Sequence, residues 1–359
     1  SSLRLENFLF TEQALRDIQA KLRPGGVFAM YNFYRHGWVV GRLKVLAKRV
    51  FGTEPLVISL PYHEVMGSDD HGMYLTCLMV GNGNSPMIKA LTREFQTGRF
   101  FWGHKYLGYS ARPNGFSELP PSVLGTQPKE WEKIAPGQVD TSTIQLLPTD
   151  DWPFLYVRER AIPGLNLRGM CLVAVLSLVI LLAFAPVRSL RPSGRMFFLG
   201  AGFMLLETKG VVHMALLFGS TWIVNSIVFA AVLVMILLSN LFVLMVQPKR
   251  LWPFYALLFA SLVFAAIVPM DAFLNLPGTA KVLASCAVTF VPIFFAGIIF
   301  ASAFRDTTRP DIDLGSNIGG VVLGGLSENA SLLVGFNALL FLAIAYYALS
   351  ALCGPRRRG

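Results

Sequence analysis

The stretch GFMLLETKGVVHMALLFGS, residues 202–220, sets a carboxyl, an amine and an imidazole into a run that is otherwise apolar. A charged side chain at mid-bilayer costs on the order of 2.5–3.5 kcal/mol, so Glu207, Lys209 and His213 need partners or water if this run crosses a membrane. Glu207 and Lys209 lie about 200° apart around a helix and cannot readily neutralise each other. Lys209 and His213, at i and i+4, share a face. Glu207 is therefore expected to meet another helix, or the helix to open at Gly210. Lys209 is expected to reach a carboxylate such as Glu328, or to snorkel. Two roles fit: a structural interhelical polar cluster, or a path for a substrate or proton.

A second constellation is LLPTDDWPFLYVRERAIPG, where Asp150 and Asp151 adjoin Trp152-Pro153-Phe154 and Tyr156. Adjacent carboxylates can bind an amine or a metal, or divide acid and base roles when their environments differ. Asp before Pro is also an ordinary turn, and Trp and Tyr favour the membrane interface. Four cysteines, Cys77, Cys171, Cys286 and Cys353, lie far apart without metal or redox spacing and read as small apolar filler. No metal is expected.

The elements that must position these groups divide in two. The chain has 359 residues, mean hydropathy +0.54 and 14% charged residues, against roughly 25% in soluble domains. Residues 1–160 hold 18 Lys/Arg and 15 Asp/Glu, a net +3, and residues 161–359 hold 13 and 6, a net +7 in a mostly apolar segment. The first part reads as a soluble domain and the second as a transmembrane domain whose partner is the lipid bilayer. The basic residues are dispersed among spans rather than clustered on one face, which argues against nucleic acid. The opening SSLRLENFLF has no initiator Met and no signal pattern, which reads as part of a longer protein.

Within the soluble part, TEQALRDIQAKLRPGG predicts a helix capped by Thr11, with Leu15, Ile18 and Leu22 as its stripe and Pro24-Gly25-Gly26 as its end. GVFAMYNF predicts a buried parallel strand. HGWVVGRLKVLAKRVFG predicts a helix, apolar at Trp38, Val39, Leu43, Leu46 and Val50 and basic at Arg42, Lys44, Lys48 and Arg49. PLVISLP and MYLTCLMVGN read as two further strands. This order suits the closing half of a doubly wound sheet ending in an antiparallel pair. Residues 83–145 are rich in Gly, Pro and aromatics, and LTREFQTGRFFWGHKYLGYSARP reads as a helix and loop with a basic-aromatic surface.

The segment NFLFTEQALRDIQAKLRPGGVFAMY, with Leu22 to Gly26 directly before a strand, resembles class I S-adenosylmethionine-dependent methyltransferases. Within them it is most similar to spermidine synthase-like aminopropyltransferases. TDDWPFLY and FLGAGFMLLETKGVVHMALLFGSTWIVNSIVFAAVLV, with Gly202 to Glu207, resemble the membrane-fused members of that family, as do the Gly-rich run before Glu328 and LVGFNALLFLAIAYYALSAL. The resemblance implies the C-terminal half of an α/β Rossmann-like methyltransferase domain followed by an all-α polytopic transmembrane bundle of six or seven helices. It implies a multi-pass protein of the bacterial cell membrane. It also implies transfer of an aminopropyl or methyl group, from S-adenosylmethionine or its decarboxylated form, to a polyamine or other amine acceptor that Asp150 or Asp151 would orient. The nucleoside-binding elements of that fold are not in this sequence, so no cofactor-binding residue is assigned. The alternative is a transporter or scaffold with a vestigial or regulatory domain, working through Glu207, Lys209, His213 and Glu328.

Candidate spans are 169–187, 195–219, 220–246, 252–270, 280–304 and 331–353, with a shorter Gly-rich run at 314–327 as a possible seventh. That run contains the small-residue spacings Gly315-xxx-Gly319 and Gly320-xxx-Gly324, which let helix backbones approach. Asn329-Ala330-Ser331 matches a glycosylation sequon and reads as chance. With seven spans, one side collects Arg188, Arg191, Arg195, Lys249, Arg250, Arg305, Arg309, Arg356, Arg357 and Arg358, and the other Arg158, Arg160, Arg168 and Lys281. The charge rule then makes the first side cytoplasmic and the soluble domain external, whereas a domain using S-adenosylmethionine belongs inside. Both expectations stand.

Overall fold

A computed structural model describes residues 6–104, 131–184, 192–219, 221–268, 271–274 and 276–354. The chain divides into two compact units, Asn7–Glu159 and a second that contains Arg160–Gly359. The described residues are mostly helical, with a small antiparallel sheet in the first unit and, in the second, four helices long and apolar enough to cross a membrane.

In the first unit, helix α1 (Glu12–Lys21) begins at Thr11, whose side-chain oxygen accepts from the Ala14 backbone N–H at 3.2 Å. Thr11 and Leu15 are fully buried. Strand β1 (Val27–His36) leads into α2 (Gly37–Phe51), which ends on Gly52 at φ 69°, a left-handed position that suits glycine. Strands β2 (Leu56–Leu60), β3 (Val65–Met66) and β4 (His71–Gly81) follow. The sheet order is β1-β4-β2, and β4 runs antiparallel to both neighbours, pairing Val27 with Gly81 and Leu56 with Met79. The core lies where α2 meets this sheet, around Val39, Leu43, Leu46, Leu78 and Val80.

The expected antiparallel pair is present as β2 and β4. The expected buried parallel strand is corrected: β1 is at the sheet edge, antiparallel to β4, with Tyr31 and Phe33 exposed. A continuous apolar run fixes the extended conformation but not the direction of the neighbour. Helix α3 (Pro86–Gln96) and the pair β5 (Phe101–His104) and β6 (Trp131–Ile134) occupy part of the Gly- and Pro-rich region. The remainder of LTREFQTGRFFWGHKYLGYSARP lies outside the described residues. Strand β7 (Gln138–Val139) pairs in parallel with β3.

In the second unit, α4 (Gly164–Phe184), α5 (Gly194–Phe218), α6 (Trp222–Val246) and α9 (Gly278–Arg305) are the four long apolar helices. Helix α7 (Trp252–Ile267) has 16 residues, and a four-residue turn, α8 (Asp271–Leu274), follows it. Helix α10 (Pro310–Ser327) is followed by a 3-10 turn (Glu328–Ala330), α11 (Ser331–Val334) and α12 (Phe336–Leu352), which has 17 residues. At 1.5 Å per residue, α7 and α12 are about 24–26 Å long, short of a hydrocarbon core of about 30 Å. The expected span 331–353 is interrupted at Gly335, where φ is 91°.

Helix α5 is the centre of this unit, packed against α6, α9, α10 and α12. Its seam with α10 depends on glycine. A Cβ on Gly320 would fall 1.8 Å from the Phe197 carbonyl oxygen, and one on Gly200 2.1 Å from that of Asn317. A Cβ on Gly324 would fall 2.6 Å from the Ala201 carbonyl oxygen, whereas one on Gly315 meets none of the described residues within 4 Å. Of the two glycine spacings in the run, Gly320-xxx-Gly324 forms the contact. Small residues let the backbones touch, which is how helices associate without a hydrophobic drive between them.

Candidate functional site

The DDWPF segment is built into the first unit. Thr11 Oγ1 donates to Asp150 Oδ1 at 2.6 Å, and the Asp150 backbone N–H donates to Gln13 Oε1 at 3.1 Å. The Asp150 carboxylate thereby sits at the positive end of α1, a favourable place for an anion. Asp151 is partly buried beside it. Trp152 is 1% exposed, which corrects its expected place at a membrane interface.

What holds this segment is Arg42, expected on the basic face of α2 and instead 1% exposed. Its guanidinium donates from Nη1 to the carbonyls of Phe154, Leu155 and Val157 at 3.3, 2.8 and 2.7 Å, and from Nη2 to that of Arg158 at 2.8 Å. It also lies over the rings of Trp38, at 4.8 Å, and Trp152, at 5.8 Å. Burial, and then the nearby Arg158 charge, lower its pKa to about 10, which leaves it cationic at neutral pH. Five donors in a rigid fork match a turn that offers several carbonyls.

In the second unit the ionisable groups separate into two environments on α5. The helix runs unbroken through Gly210, so the expected opening there does not occur. Lys209 and His213 are each 6% exposed, and Lys209 Nζ donates to Asn337 Oδ1 on α12 at 2.7 Å. Asn337 is thus one partner of Lys209. Glu207 points elsewhere. With Thr208, Asn225, Glu328 and Asn329 it lines a cavity of about 490 Å³ between α5, α6 and the turn after α10. Thr208 Oγ1 is 3.5 Å from Glu328 Oε2.

Among the described residues, the ionisable side chains around the cavity are both acidic. Two carboxyl groups from separate elements face it, and Phe229 and Phe336 supply aromatic wall. Asn225 Oδ1 is buried and accepts no hydrogen bond from the described residues. Carboxylates and amide oxygens accept hydrogen bonds, and an orphaned buried acceptor costs about 1–3 kcal/mol. The arrangement therefore suits a guest that brings several donors and positive charge. Its volume is in the range of small-ligand sites, about 300–1,000 Å³.

Sequence reasoning singled out Glu207 and Glu328, passed over Asn225 and Asn337, and considered Asn329 only as the end of the Gly-rich run and as part of a chance sequon. The available signal was three amides inside or between apolar runs, where a polar side chain needs a tertiary partner. Comparison with protein-family models, curated proteins and solved structures returns no match, so the site stands on its own geometry.

Proposed function

We propose that the chain is a multi-pass membrane protein whose acidic cavity binds an organic amine as its cation, in the manner of a transporter. The observation that carries this reading is the meeting of Glu207 and Glu328 on one cavity that also holds the unbonded Asn225 Oδ1. An alkylammonium supplies three donors and one positive charge, and the aromatic walls accept its methylenes and its charge. Lys209 donates to Asn337 and is not among the residues that line this cavity. In this reading α7 and α12, although short, complete a bundle of six or seven helices around the site.

A second reading has its own support. The order of helices and strands in Asn7–Glu159, closing in the β2–β4 antiparallel pair, suits the end of a methyltransferase-like sheet. Together with the resemblance at the DDWPF segment, it favours a spermidine synthase-like transferase that receives its amine from the membrane unit, with S-adenosylmethionine or its decarboxylated form as donor. The two readings share the amine and differ in its fate.

Calorimetric titration of the intact protein in detergent with spermidine tests the shared part. Saturable binding that Glu207→Gln and Glu328→Gln each weaken is the expected result. Heats that do not change in either variant would overturn it. Titration with the nucleoside donor separates the readings: saturable binding supports transfer, and none at millimolar concentration leaves transport.

A further inference from the structure

At one end of the bundle a larger cavity, about 1250 Å³, opens between the start of α5, the α6–α7 turn, the end of α9 and the end of α12. Arg195, Arg250 and Arg309 line it, together with Lys249 and two carboxylates. The carboxylates are already engaged: Asp306 accepts from Arg305 at 2.8 Å, and Asp313 accepts from Thr307 Oγ1. Arg195, Arg250 and Arg309 have no ion-pair partner among the described residues, and Arg195 Nε is buried without a hydrogen bond. An unbonded buried guanidinium N–H is costly unless an acceptor comes to it.

Tyr255, Ala256 and Phe259 of α7 add apolar lining, and Trp252, the first residue of α7, is 68% exposed. Tryptophan at a span's end marks the headgroup level. Cationic forks and apolar lining in one cavity match a molecule with a phosphate ester head and an acyl chain.

We propose that this cavity binds the phosphate ester headgroup of an anionic phospholipid, held by Arg195, Arg250 and Arg309, with its acyl chain against Phe259. This site is separate from the acidic cavity and takes a guest of opposite charge.

The test is thermal unfolding of the delipidated full chain in uncharged detergent, titrated with phosphatidylglycerol, phosphatidylcholine or inorganic phosphate. Phosphatidylglycerol should raise Tm saturably, and phosphatidylcholine should not. Replacing Arg250 and Arg309 together with Gln, both exposed and outside the packed core, should weaken the phosphatidylglycerol response by roughly tenfold or more. Lys281→Gln, at the other end of α9, should leave the response unchanged. Equal responses to the two lipids, or an undiminished response in the double variant, overturn the proposal. An equal shift from inorganic phosphate alone assigns the arginines to a soluble anion and overturns the lipid.

Discussion

Replacing Gly320 with Ala adds one methyl group where the structure has no room for it. The new Cβ would lie 1.8 Å from the Phe197 carbonyl oxygen and 2.7 Å from its carbon, both backbone atoms of α5 that cannot swing aside. Real Cβ contacts essentially never fall below 3.0 Å. Moving from 1.8 to 3.0 Å separates the helices by about 1.2 Å, and a gap of 0.5–1 Å already forfeits a quarter to a half of each dispersion contact. The neighbouring close approaches at Gly200 and Gly324 would open with it. Overpacking of this kind costs about 1–3 kcal/mol, and the rigidity of both partners places Gly320→Ala at about 3 kcal/mol. For a unit of this size that lowers Tm by roughly 6–12 °C. Gly315→Ala is the matched control: its Cβ meets none of the described residues within 4 Å, and removing a mid-helix glycine stabilises by about 0.5–1 kcal/mol. Circular dichroism melts in one detergent compare the two. If Gly320→Ala melts with the wild type, or Gly315→Ala falls as far, the α5–α10 seam is not packed as described.

Three further perturbations address the first unit. Arg42→Met should destabilise it by on the order of 3 kcal/mol, because four carbonyls each lose the guanidinium donor at once, and should expose residues 150–159 to limited proteolysis; an unchanged cleavage pattern would refute the clamp. Asp150→Asn should cost about 1 kcal/mol through the Thr11 contact at the head of α1, read as a lower unfolding midpoint, and spermidine titrations should be unaffected. The Glu54 carboxyl is pushed up by burial but more strongly down by its bonds to Lys48 and Lys44, and its pKa is lowered. Its stabilising share is therefore present above the ordinary glutamate range and lost as pH falls through the lowered folded value. Glu54→Gln should flatten that acid limb of the stability curve by a small amount, since the carboxylate is 54% exposed; an identical limb would show the pair contributes nothing.

Local features were legible and tertiary ones were not. The Thr11 cap, the end of α1 before Pro24-Gly25-Gly26 and the apolar stripe of α2 follow from side-chain chemistry within a few residues, and the structure shows each of them. Arg42 was not legible, because its burial depends on a turn more than a hundred residues away. From α2 alone it belongs to a basic face. The direction of β1 pairing failed for a similar reason, since the same apolar run serves either neighbour. In the membrane unit, depth flagged Glu207 and the Gly-rich run flagged close packing. Which carboxyl meets which amide, and which glycine pair faces α5, depend on helix rotation, which spacing alone does not fix. The basic side that the charge rule assembled is visible in part: Arg195, Lys249, Arg250 and Arg309 line one cavity, while Arg188, Arg191 and Arg356 to Arg358 lie outside the described residues.

The acidic cavity is tested most directly by labelling the intact protein with dicyclohexylcarbodiimide, an apolar carboxyl reagent, and mapping adducts by mass spectrometry with and without spermidine. Both Glu207 and Glu328 should react, and spermidine should slow the two together at the same concentration, while exposed carboxylates such as Asp69 are unaffected. Modification of Glu207 and Glu328 at rates that spermidine does not change would contradict the account.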